Sequence, residues 1–567
     1  MMRWCRGAAL LLLFLCSCLL FCPCPSCSAD GATLQAEVDI VAQFFTVNGF
    51  ANITALTTEN LCSGWPAMIS CNADRVSALN FRNINLRGTL PTGLSGLEYL
   101  SSLVVSDNQL TGSIPFDLCR SGNNLMNLQM GGNLLSGSLP PEWSNCRSMK
   151  TFNVSSNSFS GIIPAAYSAW GMSITSFEVS ANNFTGTLPL EFSNWTIVSY
   201  FAVSRNQLSG TLPPEYSSMK ALTYFDINMN YLTGALPEDY QQLRGMNSFR
   251  LSDNRMSGTL PSVLAAWLQI SSFRVDNNRL TGTFPSEYAA WQQIDYFDAG
   301  NNSFTGSLPP EYANWTQIMS FYVNNNFLSG TLPPQYGNGW MNILVMTVQN
   351  NSIIGTLPAD YSLLAAVSVF NVALNLMTGA LPSQYGAWMK VSQLYLHGNA
   401  FTGSIPLSWC TGMTYLQVFT VFNNKLSGTI PLMTFPLLST LAMSFNDFSG
   451  TLPTFASLPI LTTLDVQNNT KLSGPIVLPK TTSMISSCGT QLCMDQKTVF
   501  LQQVCLPSGV IATAIGAQPA TIVALLRLCF VLNRIMRRHH YVGTVRSNLT
   551  TTTTIKQLRG TKPNSNI

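Results

Sequence analysis

The chain has 567 residues, a formal charge of +3 and only 9% charged residues, against roughly 25% in ordinary soluble domains. So small and dilute a positive balance excludes a nucleic-acid partner, because neutralising phosphates takes clustered Lys and Arg. Polarity comes from Asn, Ser and Thr instead, which suits a neutral face turned to proteins or glycans.

At the N-terminus Arg3 and Arg6 precede an apolar run that ends in small residues. This pattern predicts a secretory signal peptide over 1–29, cleaved after Ala29. Residues 30–78 precede the first repeat, and Val38–Phe50 reads as a helix within them. Eight cysteines follow the leader and precede a C-terminal apolar run: Cys62, Cys71, Cys119, Cys146, Cys410, Cys488, Cys493 and Cys505. An even number in an exported chain favours disulfides. Zinc is disfavoured, since histidine is nearly absent and no two of these eight form a Cys-x-x-Cys pair. Asn52, Asn153, Asn183, Asn194, Asn301, Asn314, Asn350 and Asn468 each open an Asn-x-Ser/Thr sequon, a glycosylation signal in an exported chain.

Residues 79–480 repeat one phrase, F-x-V-x-x-N-x-L-[ST]-G-T-L-P-x-E-Y-x-x-W-x-x-[IL]. Its glycines run from Gly88 to Gly474 in steps of 24 or 25 residues, with a single step of 22 before Gly450. A fixed period of this length signals a solenoid, here of about seventeen coils. In Ser176-Phe177-Glu178-Val179 the apolar residues alternate with polar ones, as in a strand with one buried face. Stacked in parallel, such strands form one sheet. The Asn ending each strand, from Asn108 through Asn206 and Asn254 to Asn446, is read as a buried ladder whose amides serve backbone groups at the bend. The Gly that follows permits positive φ, and Thr-Leu-Pro reads as a second extended segment on the flank. Pro-x-Glu-Tyr, as at Pro214-Glu215-Tyr216, predicts a short helical turn with Pro and an acid at its start. The acids Glu142, Glu191, Glu215, Asp239, Glu287, Glu311 and Asp360 take that role rather than a metal's, since one carboxylate per coil is a poor calcium cage. Recurrent aromatics, among them Tyr216, Tyr288, Trp291 and Trp315, fill the convex side of the core.

The segment Asn206-Gln207-Leu208-Ser209-Gly210-Thr211-Leu212-Pro213 resembles the plant-type leucine-rich repeat. More narrowly, Thr-Leu-Pro-Pro-Glu-Tyr-Ser-Ser-Met at 211–219 resembles the promastigote surface antigens of kinetoplastid parasites. The resemblance implies an α/β-type, β-dominated solenoid: a superhelix with a concave parallel sheet, a second short sheet on one flank and disulfide-stabilised caps. Leu61-Cys62-Ser63-Gly64-Trp65 with Ser70-Cys71 is similar to the N-terminal cap of that class, which implies a Cys62–Cys71 bridge. Cys119 and Cys146 stand at nearly matching positions of adjacent coils, so a bridge between them is geometrically reasonable. Cys410, Cys488, Cys493 and Cys505 would then provide the bonds of a C-terminal cap over 481–508, with open connectivity.

Surface antigens of this kind are commonly lipid-anchored, but here a polar stretch follows the apolar run, unlike a lipid-anchor signal. Residues 509–533 are long enough to span a bilayer. They carry Arg527, and Arg534, Arg537 and Arg538 follow, as expected for a cytoplasmic flank. This reads as a weak membrane anchor, with a disordered Thr-rich tail over 534–567.

On each strand the residue eight before the glycine faces outward. Charges concentrate mid-solenoid in that row at Glu178, Asp226, Arg250, Arg274 and Asp298, with Tyr322 beyond and Tyr200, Tyr224 and Tyr296 two positions away. Tyr and Arg are enriched at binding hot spots, so the strip is the candidate ligand face. Asp226–Arg250 and Arg274–Asp298 also read as cross-strand ion pairs. A glycan on Asn153 would bound this face on its N-terminal side. An enzyme is not expected: His397, His539 and His540 lack nucleophile or acid partners, and Asp226 and Asp298 stand three coils apart, roughly 14 Å, beyond a glycosidase pair's 5–9.5 Å. No cofactor or metal is implied. The expectation is a cell-surface or secreted recognition and adhesion protein binding protein or glycan partners, the alternative being a glycosylated coat without a specific ligand.

Overall fold

The computed structural model describes residues 25–46, 56–119, 124–494 and 502–503. The leader ahead of residue 25, Asn52, Cys505, the apolar run 509–533 and the tail 534–567 lie outside them. Met1–Gln502 and Gln503–Ile567 are separate compact units, and nearly all described residues fall in the first.

Each coil opens with a three-residue strand whose middle side chain points inward. In Ser176–Glu178, Phe177 is buried between two half-buried neighbours. It is in register with Phe152 on one side and Phe201 on the other. Phe152 and Phe177 stack at 5.5 Å and 12°, and Phe249, Phe273 and Phe297 continue the column. Repetition thus builds a twenty-stranded sheet, parallel from Arg75–Asn80 through Met484–Ser486. Beyond residue 480, Met484–Ser486 and Gln491–Met494 each stack on the preceding coil.

The chain leaves each strand through a left-handed residue, such as Asp253 or Asn277 (φ +55° and +54°), and the ladder Asn follows. Asn254 donates through Nδ2 to the carbonyls of Ile227, Leu251 and Ser252 at 3.0, 3.1 and 3.2 Å. Its Oδ1 accepts the Leu232 N–H at 3.0 Å. One side chain thereby satisfies four backbone groups that have left the sheet.

A second set of parallel strands covers this flank, in sheets of five, two, two and six strands. They lie just before or across the glycine, as in Asn183–Thr185 and Lys425–Thr429, earlier than the predicted Thr-Leu-Pro segment. The reason is that the Thr and Ser hydroxyls before the glycine reach the previous coil, as Thr281 Oγ1 does to the Gly258 carbonyl at 3.2 Å. Past the glycine the chain turns inward to bury Leu212 and its equivalents.

The convex side is a row of short helical turns, mostly five-residue 3-10 turns such as Pro214–Ser218, entered through an extended Pro213 (φ −67°, ψ 120°). Pro suits this start because it needs no N–H partner there. Glu142, Glu191, Glu215, Asp239, Glu287, Glu311 and Asp360 occupy the first turns. The aromatics behind them are fully buried, and their polar atoms bind the preceding coil. Tyr312 O–H donates to the Pro285 carbonyl at 2.9 Å and Trp315 Nε1 to the Tyr288 carbonyl at 2.9 Å.

At the N-terminal end the helix Pro25–Thr46 starts well before the predicted Val38. Phe44 and Phe45 pack against Phe81 at 5.0 and 5.1 Å, covering the first coil. The buried Glu37 accepts from Arg75 Nε at 2.8 Å and the Val76 N–H at 3.0 Å. Cys62 is bridged to Cys71 and Cys119 to Cys146. Cys488 is also disulfide-bonded, whereas Cys410, expected among the cap's bonds, is a free thiol buried in the convex turn Leu407–Gly412, where its Sγ faces the Pro406 carbonyl at 3.9 Å. Among the described residues no helix is long and apolar enough to cross a membrane.

Candidate ligand-binding face

Because only the middle residue of each strand points inward, the first and third form two outward rows along the concave sheet. The first row holds Tyr200, Tyr224, Ser248, Ser272 and Tyr296; the third holds Ala202, Asp226, Arg250, Arg274 and Asp298. Glu178 and Tyr322 extend the third row at either end. All nine sequence-selected side chains therefore lie on one surface.

They form two groups. In the first, Tyr200 and Tyr224 stack nearly parallel at 4.5 Å and 3°, and the Arg250 guanidinium lies 5.1 Å from the Tyr224 ring centre. Tyr224 O–H donates to Asp226 Oδ2 at 3.3 Å, and the Asn228 N–H to Asp226 Oδ1 at 3.1 Å. In the second, Arg274 sits 3.9 Å over Tyr296, whose ring lies 5.5 Å from that of Tyr322. The Gly300 N–H donates to Asp298 Oδ1 at 3.1 Å.

Neither Asp226–Arg250 nor Arg274–Asp298 is an ion pair; the four ion pairs among the described residues lie elsewhere. The cause is two residues upstream of each arginine. Arg250 Nε donates to Ser248 Oγ at 3.2 Å and Arg274 Nε to Ser272 Oγ at 3.4 Å. These bonds draw both guanidiniums across to the tyrosine row, away from the carboxylates of their own row.

The acids carry the burial cost. Desolvation, then repulsion from Asp276, pushes Asp298 up to about 7. Burial likewise raises Asp276, which accepts from Ser252 Oγ and, at 2.7 Å, from Asn277 Nδ2. Glu178 is raised by burial first, while Asn153 Nδ2 donates to it at 2.8 Å. Asn153 thus sits on the face itself, half-buried, whereas Asn183, Asn194, Asn301, Asn314, Asn350 and Asn468 are exposed.

Sequence reasoning missed the neighbouring edge. Asn247, Gln269, Ser271, Gln293, Asp295 and Gln317 help line an open groove of 590 Å³ beside the first row. Its signal was present, in Gln269, Gln293 and Gln317 recurring every 24 residues. His397 is buried, shares a 2.8 Å hydrogen bond between Nδ1 and Thr420 Oγ1, and stacks on Phe422 at 4.3 Å. Burial lowers it to about 3, so it stays neutral and packs as a core residue. No group of acids, His and Cys suited to a metal occurs among the described residues.

No family model and no curated protein matches the chain. Solved structures do. A TDR receptor crystal structure aligns with a TM-score of 0.68 at 26% identity, over 73% of this chain and 72% of that one. The plant peptide hormone receptor RGFR1 in complex with RGF2 aligns at 0.60 and 22%, over 74% and 79%. The LRR protein LIC12759 of Leptospira interrogans aligns at 0.52 and 21%, over 65% and 90%. The fold is a plant-type leucine-rich repeat solenoid. In leucine-rich repeat terms, the charged and aromatic rows line its concave sheet, and the 3-10 turns form its convex side.

Proposed function

We propose that this leucine-rich repeat protein is a cell-surface or secreted recognition protein that binds a protein ligand on its concave face. One observation carries the reading. Arg250 and Arg274 are direct neighbours in adjacent strands, and among the described residues no carboxylate forms an ion pair with either. Like charges so placed destabilise a sheet, and an anionic group of a partner would relieve that repulsion. The tyrosines beside them supply the rigid, amphipathic contact area typical of hot spots. RGFR1, on the same scaffold, is a hormone receptor solved with RGF2, which agrees with a protein ligand.

The leader over 1–29 and the sequons support export, and the resemblance of 211–219 to promastigote surface antigens supports display at a cell surface. The solenoid 79–480 would then stand between caps at 30–78 and 481–508, held by the apolar run 509–533 ahead of the tail 534–567. The six exposed sequon asparagines favour a second reading, a glycosylated coat whose surface matters more than any ligand.

Binding of the fluorescently labelled, detergent-solubilised full-length protein to candidate host cells separates the two. Tyr224→Ala with Arg250→Ala and Arg274→Ala is expected to lower saturable binding at least about ten-fold with an unchanged circular dichroism spectrum. Equal binding by wild type and variant would support the coat.

A further inference from the structure

The third outward row reads, in strand order, Glu178, Ala202, Asp226, Arg250, Arg274, Asp298, Tyr322. Neighbouring strands lie about 4.8 Å apart, so along the solenoid axis the midpoint between the two arginines is one and a half spacings, about 7 Å, from each flanking aspartate. An extended peptide advances about 3.3 Å per residue and turns alternate side chains to one side, about 6.6 Å apart. The two spacings agree.

Resting on the concave-face reading above, we propose that the strip from Asp226 to Asp298 recognises an extended peptide running along the solenoid axis. The peptide carries a basic, an acidic and a basic residue at alternate positions. Its acidic side chain enters between the guanidiniums of Arg250 and Arg274, and its basic side chains lie over Asp226 and Asp298.

The site is prepared for that arrangement. Each arginine is tethered through Nε to a serine of its own strand and lies over a tyrosine. Their terminal nitrogens make no hydrogen bond among the described residues and remain free for a carboxylate, the geometry in which guanidinium recognition is strongest. The Arg250 guanidinium lies 5.1 Å from the Tyr224 ring of the preceding coil and that of Arg274 3.9 Å from the Tyr296 ring of the following coil, so each is flanked by an aromatic on its outer side. The aspartates are held by Tyr224, Asn228 and Gly300. A ligand cation at Asp298 would also offset its repulsion with Asp276. A sulfated polysaccharide fits poorly, because its regularly spaced anions would meet Glu178, Asp226 and Asp298 as often as the arginines. A neutral glycan would leave the adjacent guanidiniums uncompensated.

Selection of a random peptide display library on immobilised full-length protein tests this and requires no candidate ligand. Enriched peptides are expected to share the basic–x–acidic–x–basic alternation. A synthetic peptide with Lys, Glu and Lys at alternate positions should bind at least about ten-fold more tightly than its charge-inverted counterpart. Arg250→Glu with Arg274→Glu should abolish that binding and favour a peptide with Lys at all three positions, and Arg250→Gln alone should weaken it. Enriched peptides that lack the alternation yet are lost with Tyr224→Ala would overturn the register and leave the concave face as the binding surface. Peptides indifferent to every one of these substitutions would overturn both. An empty selection, or saturable heparin binding that needs both arginines, would overturn the peptide proposal.

Discussion

Asp298 shows how a single side chain on this face is governed by what lies two residues or one coil away. Its carboxyl is pushed from an ordinary 3.8 up to about 7 by burial and by Asp276. Between pH 4 and 7 the folded protein therefore holds a proton that the unfolded chain has released, and stability falls as pH rises through that window. Asp298→Asn keeps an oxygen for the Gly300 N–H and removes the charge. It should stabilise the fold at pH 8 by on the order of 2 kcal/mol, raising the melting temperature there, and change little at pH 4. Calorimetry at both values checks this, and equal shifts would place the cause outside titration. The same scale marks the limit of what the sequence makes legible. The Asn ladder was legible because a bend inside a covered coil leaves backbone groups that only an amide can both donate to and accept from. The direction of Arg250 was not, because it depends on a hydrogen bond to Ser248 that competes with the carboxylate of Asp226. Sequence pairing suggests the nearer charge, and the serine takes the guanidinium instead.

At the level of the element, the flank strands show a different limit. Strand propensity is low at glycine, so the segment that pairs, just before or across the glycine, gave a weaker signal than the Thr-Leu-Pro beside it. The glycine is required for two separable reasons. Gly282 has φ +81°, and a Cβ there would meet Thr259 Cγ2 at 2.7 Å; Gly161 has the same φ but would meet Ser138 Cβ at 3.6 Å. Gly161→Ala thus incurs only the left-handed strain, about 1 kcal/mol. Gly282→Ala adds a steric clash and should cost about 1–3 kcal/mol more, the range of overpacking. Denaturant unfolding of the two variants measures the difference. Thr259→Ser, which removes the obstructing methyl, should restore most of the excess at Gly282 and none of it at Gly161. If the two variants prove equally unstable, the close approach to the preceding coil is not what excludes a side chain.

For the whole molecule, stability is a sum of coils and the contacts between nearest neighbours, so damage should stay local. The period, the buried Phe column and the aromatic convex side were legible because most coils repeat them and none can bury its apolar face alone. The coil formed by Met484–Ser486 and Gln491–Met494 was not, since it lacks both the Phe and the Asn-x-Leu-Ser-Gly phrase. The Cys119–Cys146 bridge joins two adjacent coils across a sequence separation of 27. Chain entropy assigns such a closure about 3–4 kcal/mol. In a globular domain that loss would lower the stability of every residue together, because unfolding is all-or-none. Here Cys119→Ser with Cys146→Ser should instead speed amide hydrogen exchange in the coils between roughly residues 80 and 160. The coils carrying Phe249, Phe273 and Phe297, which stack on one another, should keep wild-type protection. A uniform loss across the solenoid would show that cooperativity extends over the full sheet and that nearest-neighbour stacking does not describe its energetics.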